Sequence, residues 1–447
     1  MSRPLSHRPA TSPSQTGASS LTDSHIPPAR PATSRPLFER LTGEDSLDPK
    51  ESRNGLRIAA SLSMTKISDG LIDPKLVLGW LLTALGAPAA FTGALVPIRE
   101  AGALLPQLLL AGGLRRLTRK KWMWVAGAAL QGVAALLIAL CALFLQGAAA
   151  GLAICAALAL LALARAACSV SFKTVLGKMV GKTRRGAVTG IAGSLASGAV
   201  VVFALLLISG LFESRGPVLI AITLAGALWL AAAMLFSTLS EDPAEAQEQA
   251  TPPAFLKILK GDAMLRRFIL ARGLLVATAL APPYIVMIAG AEGGAVLGKL
   301  GALMLASAAA SFASSYVWGR FSDRSSRRVL VAAGLIGALA MASMVALGLV
   351  GLAASAWAGP AVLFVLMVAY HGVRQGRSTY LVDLAPEDLR ADYAAVANTL
   401  IGGILLLAGA LGSGLAMIGP QAALAGFAAL SALGGLLCLT LREVESA

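Results

Sequence analysis

Apolar residues run through most of this chain in blocks of about twenty, the length a helix needs to cross a bilayer, and the breaks between blocks are short and often basic. The pattern predicts helices over residues 122–145, 152–172, 187–211, 218–239, 268–289, 299–318, 329–354, 361–382, 394–418 and 421–441. Two further helices share Leu76 to Leu114, between Lys75 and the basic run Arg115, Arg116, Arg119, Lys120, Lys121. Both ends of that segment are basic, so its outer turn is expected near Leu95 to Pro97, with Arg99 and Glu100 at the outer mouth of the second helix. This makes twelve spans.

Only Arg99, Arg215 and Lys299 fall on the outer turns, whereas the other face collects Lys and Arg. Positive residues mark the cytoplasmic side, so both termini are expected inside, in a cytoplasmic (inner) membrane. Residues 1–70 are rich in Ser, Pro, Thr and Arg and read as a disordered cytoplasmic tail, dispensable as far as Met64, where translation could equally begin. Residues 240–267 read as a cytoplasmic linker between two halves, 71–239 and 268–441, and 442–447 as a second tail.

The halves repeat. Arg185 and Arg390 open corresponding helices 205 positions apart, and Gly112 and Gly319 precede corresponding basic turns 207 apart. Thr83-Ala84-Leu85 with Pro88 is matched by Thr278-Ala279-Leu280 with Pro282, at an offset of 195. Such duplication is common in transporters.

Composition agrees with the pattern. Of 447 residues 57% are hydrophobic and 13% charged, against about 25% charged in a soluble domain. The net charge of +14 sits in turns between spans, which argues against nucleic-acid binding. Cys141, Cys155, Cys168 and Cys438 all fall in apolar runs and have neither disulfide nor metal spacing. Gly181-Lys182-Thr183 lacks the earlier glycine of a phosphate loop, so no enzyme, cofactor or metal is expected.

One turn carries a motif: Gly319-Arg320-Phe321-Ser322-Asp323-Arg324-Ser325-Ser326-Arg327-Arg328. It resembles the signature of major facilitator superfamily (MFS) transporters, and the resemblance spans roughly Asp73 to Leu441. In the first-half copy, Gly112 to Lys121, Arg116 stands where the motif has its acid. The resemblance implies an all-α membrane protein of two pseudo-symmetric six-helix halves that moves a small solute by alternating access. It also implies a monomer in the lipid bilayer, driven by a coupling ion such as H⁺.

Ionisable groups at bilayer depth usually face a cavity. They occur here in the second helix (Arg99, Glu100), the fourth (Arg165), the seventh (Arg272) and the tenth (His371, Arg374, Arg377). For the arginines two readings stand: an anion site, since Arg offers a fixed bidentate fork, or long side chains reaching back to the cytoplasmic surface. His371 is either a proton relay or a packing residue. Glu100, with Arg99, is either the proton-coupling carboxylate or half of an ion pair at the outer turn. The basic turns predict a gate: Asp323, with Arg324, Arg327 and Arg328 around it, meets Arg184 and Arg185, and Arg115 and Arg116 meet Asp388 and Asp392. The competing reading of the whole chain is a non-transporting protein of the same fold, an assembly factor or receptor.

Overall fold

The computed structural model describes residues 48–181, 183–211, 214–243, 255–290, 297–322 and 324–444, and among them all regular structure is helical. The first half comprises α1 (Pro49–Leu71), α2 (Val77–Ala84), α3 (Ala89–Leu104), α4 (Gln107–Arg116), α5 (Lys121–Phe144), α6 (Gly147–Met179), α7 (Arg185–Ile208) and α8 (Gly216–Ser237). A short helix, α9 (Phe255–Gly261), leads to α10 (Ala263–Leu275), α11 (Ala277–Leu280), α12 (Pro282–Gly290) and α13 (Leu297–Ser322). The second half is completed by α14 (Ser326–Leu349), α15 (Ala358–Leu384), α16 (Arg390–Ile418) and α17 (Pro420–Cys438).

Among the described residues, eight spans are long and apolar enough to cross a membrane. Segments 49–84, 89–116, 297–322 and 358–384 fall outside that group, and only with them would the expected count of twelve be reached. The repeat is plain in the helix starts: Lys121 and Ser326, and Arg185 and Arg390, each lie 205 positions apart. The Thr83 and Thr278 triplets do not correspond. Thr83 lies at the end of α2, beside a turn, while Thr278 lies at a break between α10 and α12. Their offset of 195 is a chance match.

The first span corrects the sequence reading. Residues 49–71 were expected to be tail, yet they form α1, which packs on α7 and α8. Its polar residues hid it. Ser68 donates to Ala225 O at 2.9 Å and Lys66 to Thr189 O at 3.1 Å, so polarity that mimics disorder in sequence is spent on neighbouring backbone. Lys75, the expected basic end of the first span, instead lies in Asp73-Pro74-Lys75, a break inside that span. The Asp73 carboxylate accepts from Lys75 N at 2.8 Å and Leu76 N at 3.0 Å, starting α2 anew. The turn between the first two spans consequently lies at Leu85–Pro88, where Gly86 has φ 68°, and Pro97 sits inside α3. A chain beginning at Met64 would lose most of α1, so it is expected not to accumulate in membranes. Fractionation and immunodetection test this, and wild-type abundance would contradict the packing of α1.

The expected linker is also partly ordered. Asp262 caps α10 at Met264 N (2.8 Å) and Leu265 N (3.0 Å), five residues before the predicted start; residues 244–254 lie outside the described part. Residues 238–243 fold back over the first half. The Glu241 carboxylate accepts from Lys120 N (3.0 Å) and Lys121 N (2.7 Å), satisfying orphan donors at the positive end of α5. Its counterpart is Glu443, which accepts from Ser325 Oγ (2.7 Å) and Arg327 Nε (3.0 Å) at the start of α14. Each half is thus clamped by a carboxylate that follows its last helix. A hydrogen bond from Lys50 holds the exposed Asp242 carboxyl below the usual carboxylate range, so this outer contact is present at neutral pH and weakens as pH falls through the lowered value.

Within the halves, helices approach closely where glycines face backbone. A Cβ on Gly132 would lie 2.9 Å from Gly226 O, and one on Gly334 would lie 2.8 Å from Gly435 Cα, pairing α5 with α8 and α14 with α17. Between the halves the main contacts are α3 with α16, α7 with α13, and α2 with α12.

Candidate functional site

The seam between the halves is tight at the end opposite the basic turns. A Cβ on Gly409 would sit 2.1 Å from Pro97 Cγ, and one on Gly93 would sit 2.2 Å from Tyr284 Oη. On Gly301 it would meet Ala204 O at 2.6 Å. At the basic end, by contrast, Gly112, Gly186, Gly190 and Gly319 have open space within 4 Å, and α4 packs on α6 of its own half. The closest approaches between the halves thus lie toward the end opposite the basic turns.

Asp69, at the last turn of α1, is the hub of the interior. It accepts hydrogen bonds from Arg165 of α6, through both carboxylate oxygens, and from Arg99 Nη2 of α3 at 2.5 Å. The Asp69 side chain is 25% exposed and that of Arg165 39%, although both lie deep in the bundle. Arg99 is buried, with Nη1 left without a partner. The sequence reading placed Arg99 and Glu100 at the outer mouth because it misplaced the first span. Both lie some three turns into α3, at the depth of Asp69. Arg99 pairs with Asp69, and half-buried Glu100 stands in the field of Lys75, Arg99, Arg377 and Arg165.

The second half meets this cluster through α15. Lys75 Nζ lies 3.5 Å from the centre of the Tyr370 ring, a cation–π contact between the halves. His371 packs edge-on to Tyr370, with ring centres 5.3 Å apart, and the charges of Lys75 and Arg374 act on it. Arg374 is exposed, and its charge also acts on Lys66 of α1, in the other half. Arg272 is 6% exposed and donates to Asn398 Oδ1 at 3.1 Å; the charge that acts on it is that of Arg377.

Charges do not balance here. The first half presents Lys66, Lys75, Arg99 and Arg165 against Asp69, Asp73 and Glu100. The second presents Arg272, Arg374 and Arg377, and the described carboxylates Asp383 and Asp392 lie about two turns nearer the basic end of α15 and α16. Among these residues positive charge is in excess.

Of the gate residues, Arg184, Arg185, Arg327 and Arg328 have partners in their own halves. Arg184 donates to Glu51 through Nε at 3.0 Å and Nη2 at 2.7 Å, and Arg185 donates to Val180 O and Gly177 O. Arg327 and Arg328 both address Glu443, and Arg116 and Arg324 are exposed. Asp392 lies in the first turn of α16. Asp323 and the side chains of Arg115 and Asp388 lie outside the described residues.

A separate polar cavity of about 670 Å³ lies between α1, the end of α6 and the fold-back after α8. Its charges satisfy one another, Lys50 with Asp242, Glu51 with Arg184 and Lys178 with Glu241, so it reads as part of the clamp.

Asp69, Lys66 and Asn398 escaped the sequence reading. Asp69 and Lys66 fell in the supposed tail, and a signal existed: Lys66, Asp69 and Asp73 recur at helical spacing, on one face of a helix.

The sequence profile described as Major Facilitator Superfamily matches residues 58–406, beginning inside α1. No curated protein matches the chain. Among solved structures, a variant of the nucleoside transporter NupG superposes with a TM-score of 0.67 at 12% identity, covering 87% of this chain and 100% of that one. A D-xylose-proton symporter gives 0.66 at 9% identity, over 88% and 98% of the two chains. A peptide transporter, POT, in complex with sulfate gives 0.64 at 12%, over 87% and 94%. At such identities these likenesses show the fold, and the profile match over most of the chain shows the family. This integral membrane protein belongs to the Major Facilitator Superfamily.

Proposed function

We propose that the chain is a secondary transporter that moves a small organic anion by alternating access, with the basic turns and both termini on the cytoplasmic side of the inner membrane. The observation that carries this reading is the water-reached charge cluster of Asp69, Arg99 and Arg165, beside which Arg374 of the other half acts on Lys66. A receptor or assembly factor has no need of unbalanced charge at that depth, where each ionised group is costly. Arginines reaching back to surface acids would have favoured that alternative, yet Arg165 pairs with a carboxylate of an interior helix.

Two carboxylates are placed to couple transport to protons, Glu100 and Asp69, since both lie among the cations a substrate anion would engage. Closing the basic end would bring Asp323 toward Arg184 and Arg185, and Arg115 and Arg116 toward Asp388 and Asp392, with Arg184 leaving Glu51. Proteoliposome uptake with and without an inward pH gradient tests the coupling. Glu100→Gln is expected to abolish gradient-driven accumulation and leave exchange intact. Unchanged accumulation would remove Glu100 from the coupling path.

A further inference from the structure

Arg272 is the most isolated charge in the interior. It is 6% exposed, its Nε is buried without a partner, and its one hydrogen bond goes to a neutral acceptor, Asn398 Oδ1 at 3.1 Å. The nearest charge acting on it is of the same sign, Arg377, two turns from the basic end of α15. An arginine in this position is normally matched by a carboxylate, as Arg99 and Arg165 are by Asp69. Helices α10, α15 and α16, which meet at this point, supply none at its depth. Asp383 and Asp392 lie about two turns away along their helices, and Glu100 stands in the other half, in the field of Arg377. Arg272 keeps an unpartnered Nε, the charge of Arg377 acts on it, and the Asn398 side chain carries an amide group that can donate a further hydrogen bond to an anion.

We infer that Arg272, Arg377 and Asn398 form an oxyanion subsite in the second half that takes a doubly charged group, a phosphate, phosphate ester or sulfate, in preference to a monocarboxylate. It deepens the anion-transport reading above, and its binding test does not depend on transport. Two neighbouring cations are neutralised by two negative charges, whereas one carboxylate leaves a buried cation uncompensated. A planar carboxylate also engages one fork, while a tetrahedral oxyanion offers oxygens to both. In the first half Arg99 and Arg165 already share the Asp69 carboxylate, whereas no carboxylate pairs with Arg272.

Calorimetric titration of the purified full chain in detergent tests this, with inorganic phosphate, sulfate, phenyl phosphate, acetate and chloride as probes. Phosphate and sulfate are expected to bind, and acetate and chloride at least about tenfold more weakly. Arg377→Gln, at a half-buried position, is expected to weaken phosphate binding about tenfold or more, and Arg272→Lys, which keeps the charge and loses the fork, is expected to weaken it as well. Lys257→Gln, on the exposed face of α9, is expected to leave it unchanged. Tighter binding of phenyl phosphate than of phosphate would assign the subsite to the charged end of an organic solute, and the reverse to a free inorganic ion; both support it. Acetate or chloride binding as well as phosphate overturns the doubly charged assignment. Wild-type phosphate binding that survives both arginine substitutions overturns the subsite, even if uptake of some other anion stands. Phosphate binding without uptake of any solute leaves the subsite and removes the transport reading.

Discussion

Asp69→Asn is expected to eliminate uptake and to lower stability by about 3 kcal/mol. Arg99 has 8% of its side chain exposed and gives its Nη2 hydrogen bond to Asp69, so an amide in place of the carboxylate strands a buried cation. Breaking a buried pair from one side costs about 3–5 kcal/mol, because the remaining charge can neither pair nor reach water. Arg165 is more exposed and loses less. The same carboxylate holds both arginines in position for a substrate, so geometry is lost along with charge. Detergent-solubilised variants compared by thermal unfolding and by uptake check both parts. Asp69→Glu, which keeps the charge on a longer stem, is expected to recover stability more than transport. Wild-type uptake in Asp69→Asn would show that the hub is packing alone.

The second large effect is expected at the far-end seam. Leucine at position 409 would place its Cβ 2.1 Å from Pro97 Cγ, a ring inside α3 that has no rotamer to escape to. Overpacking of this kind costs about 2 kcal/mol, and here the cost falls only on the state in which that seam is closed. Gly409→Leu is therefore expected to raise the ratio of far-end-open to far-end-closed molecules about thirtyfold. Distances between spin labels at Ala148 and Leu352, in a chain cleared of its native cysteines, report that ratio; the pair should move apart in the variant. A distribution identical to that of the parent would mean that α3 and α16 absorb the side chain without opening.

The sequence revealed the halves, the repeat and most of the spans, because apolar helices in lipid must announce themselves by length and by basic flanks. It failed at the first span, for a physical reason. Helix α1 is sheltered by α7 and α8, so its Lys66 and Ser68 bond to neighbouring backbone and its Asp69 to interior arginines instead of facing lipid. Such a helix looks like a tail when judged by hydropathy. That single error moved the first outer turn by some ten residues and carried Arg99 and Glu100 to the surface, when they belong to the centre. Arg165, Arg374 and Arg272 were legible as charges in apolar runs. Their partners were not, since Asp69 pairs with Arg165 across 96 positions and Asn398 with Arg272 across 126. The gate motif was equally visible as a pattern, yet pattern says nothing about state. Arg184 rests on Glu51 and Arg327 on Glu443, partners that no resemblance suggested.

Transport as proposed requires an anion to cross the membrane through a positively charged interior. The direct measurement is uptake into proteoliposomes of the purified chain, over a panel of labelled organic anions, neutral solutes and cations, with Arg165→Gln run in parallel. Saturable uptake of at least one anion, lost in Arg165→Gln, is the expected result. Uptake confined to neutral or cationic solutes, or anion uptake that Arg165→Gln leaves intact, would contradict it.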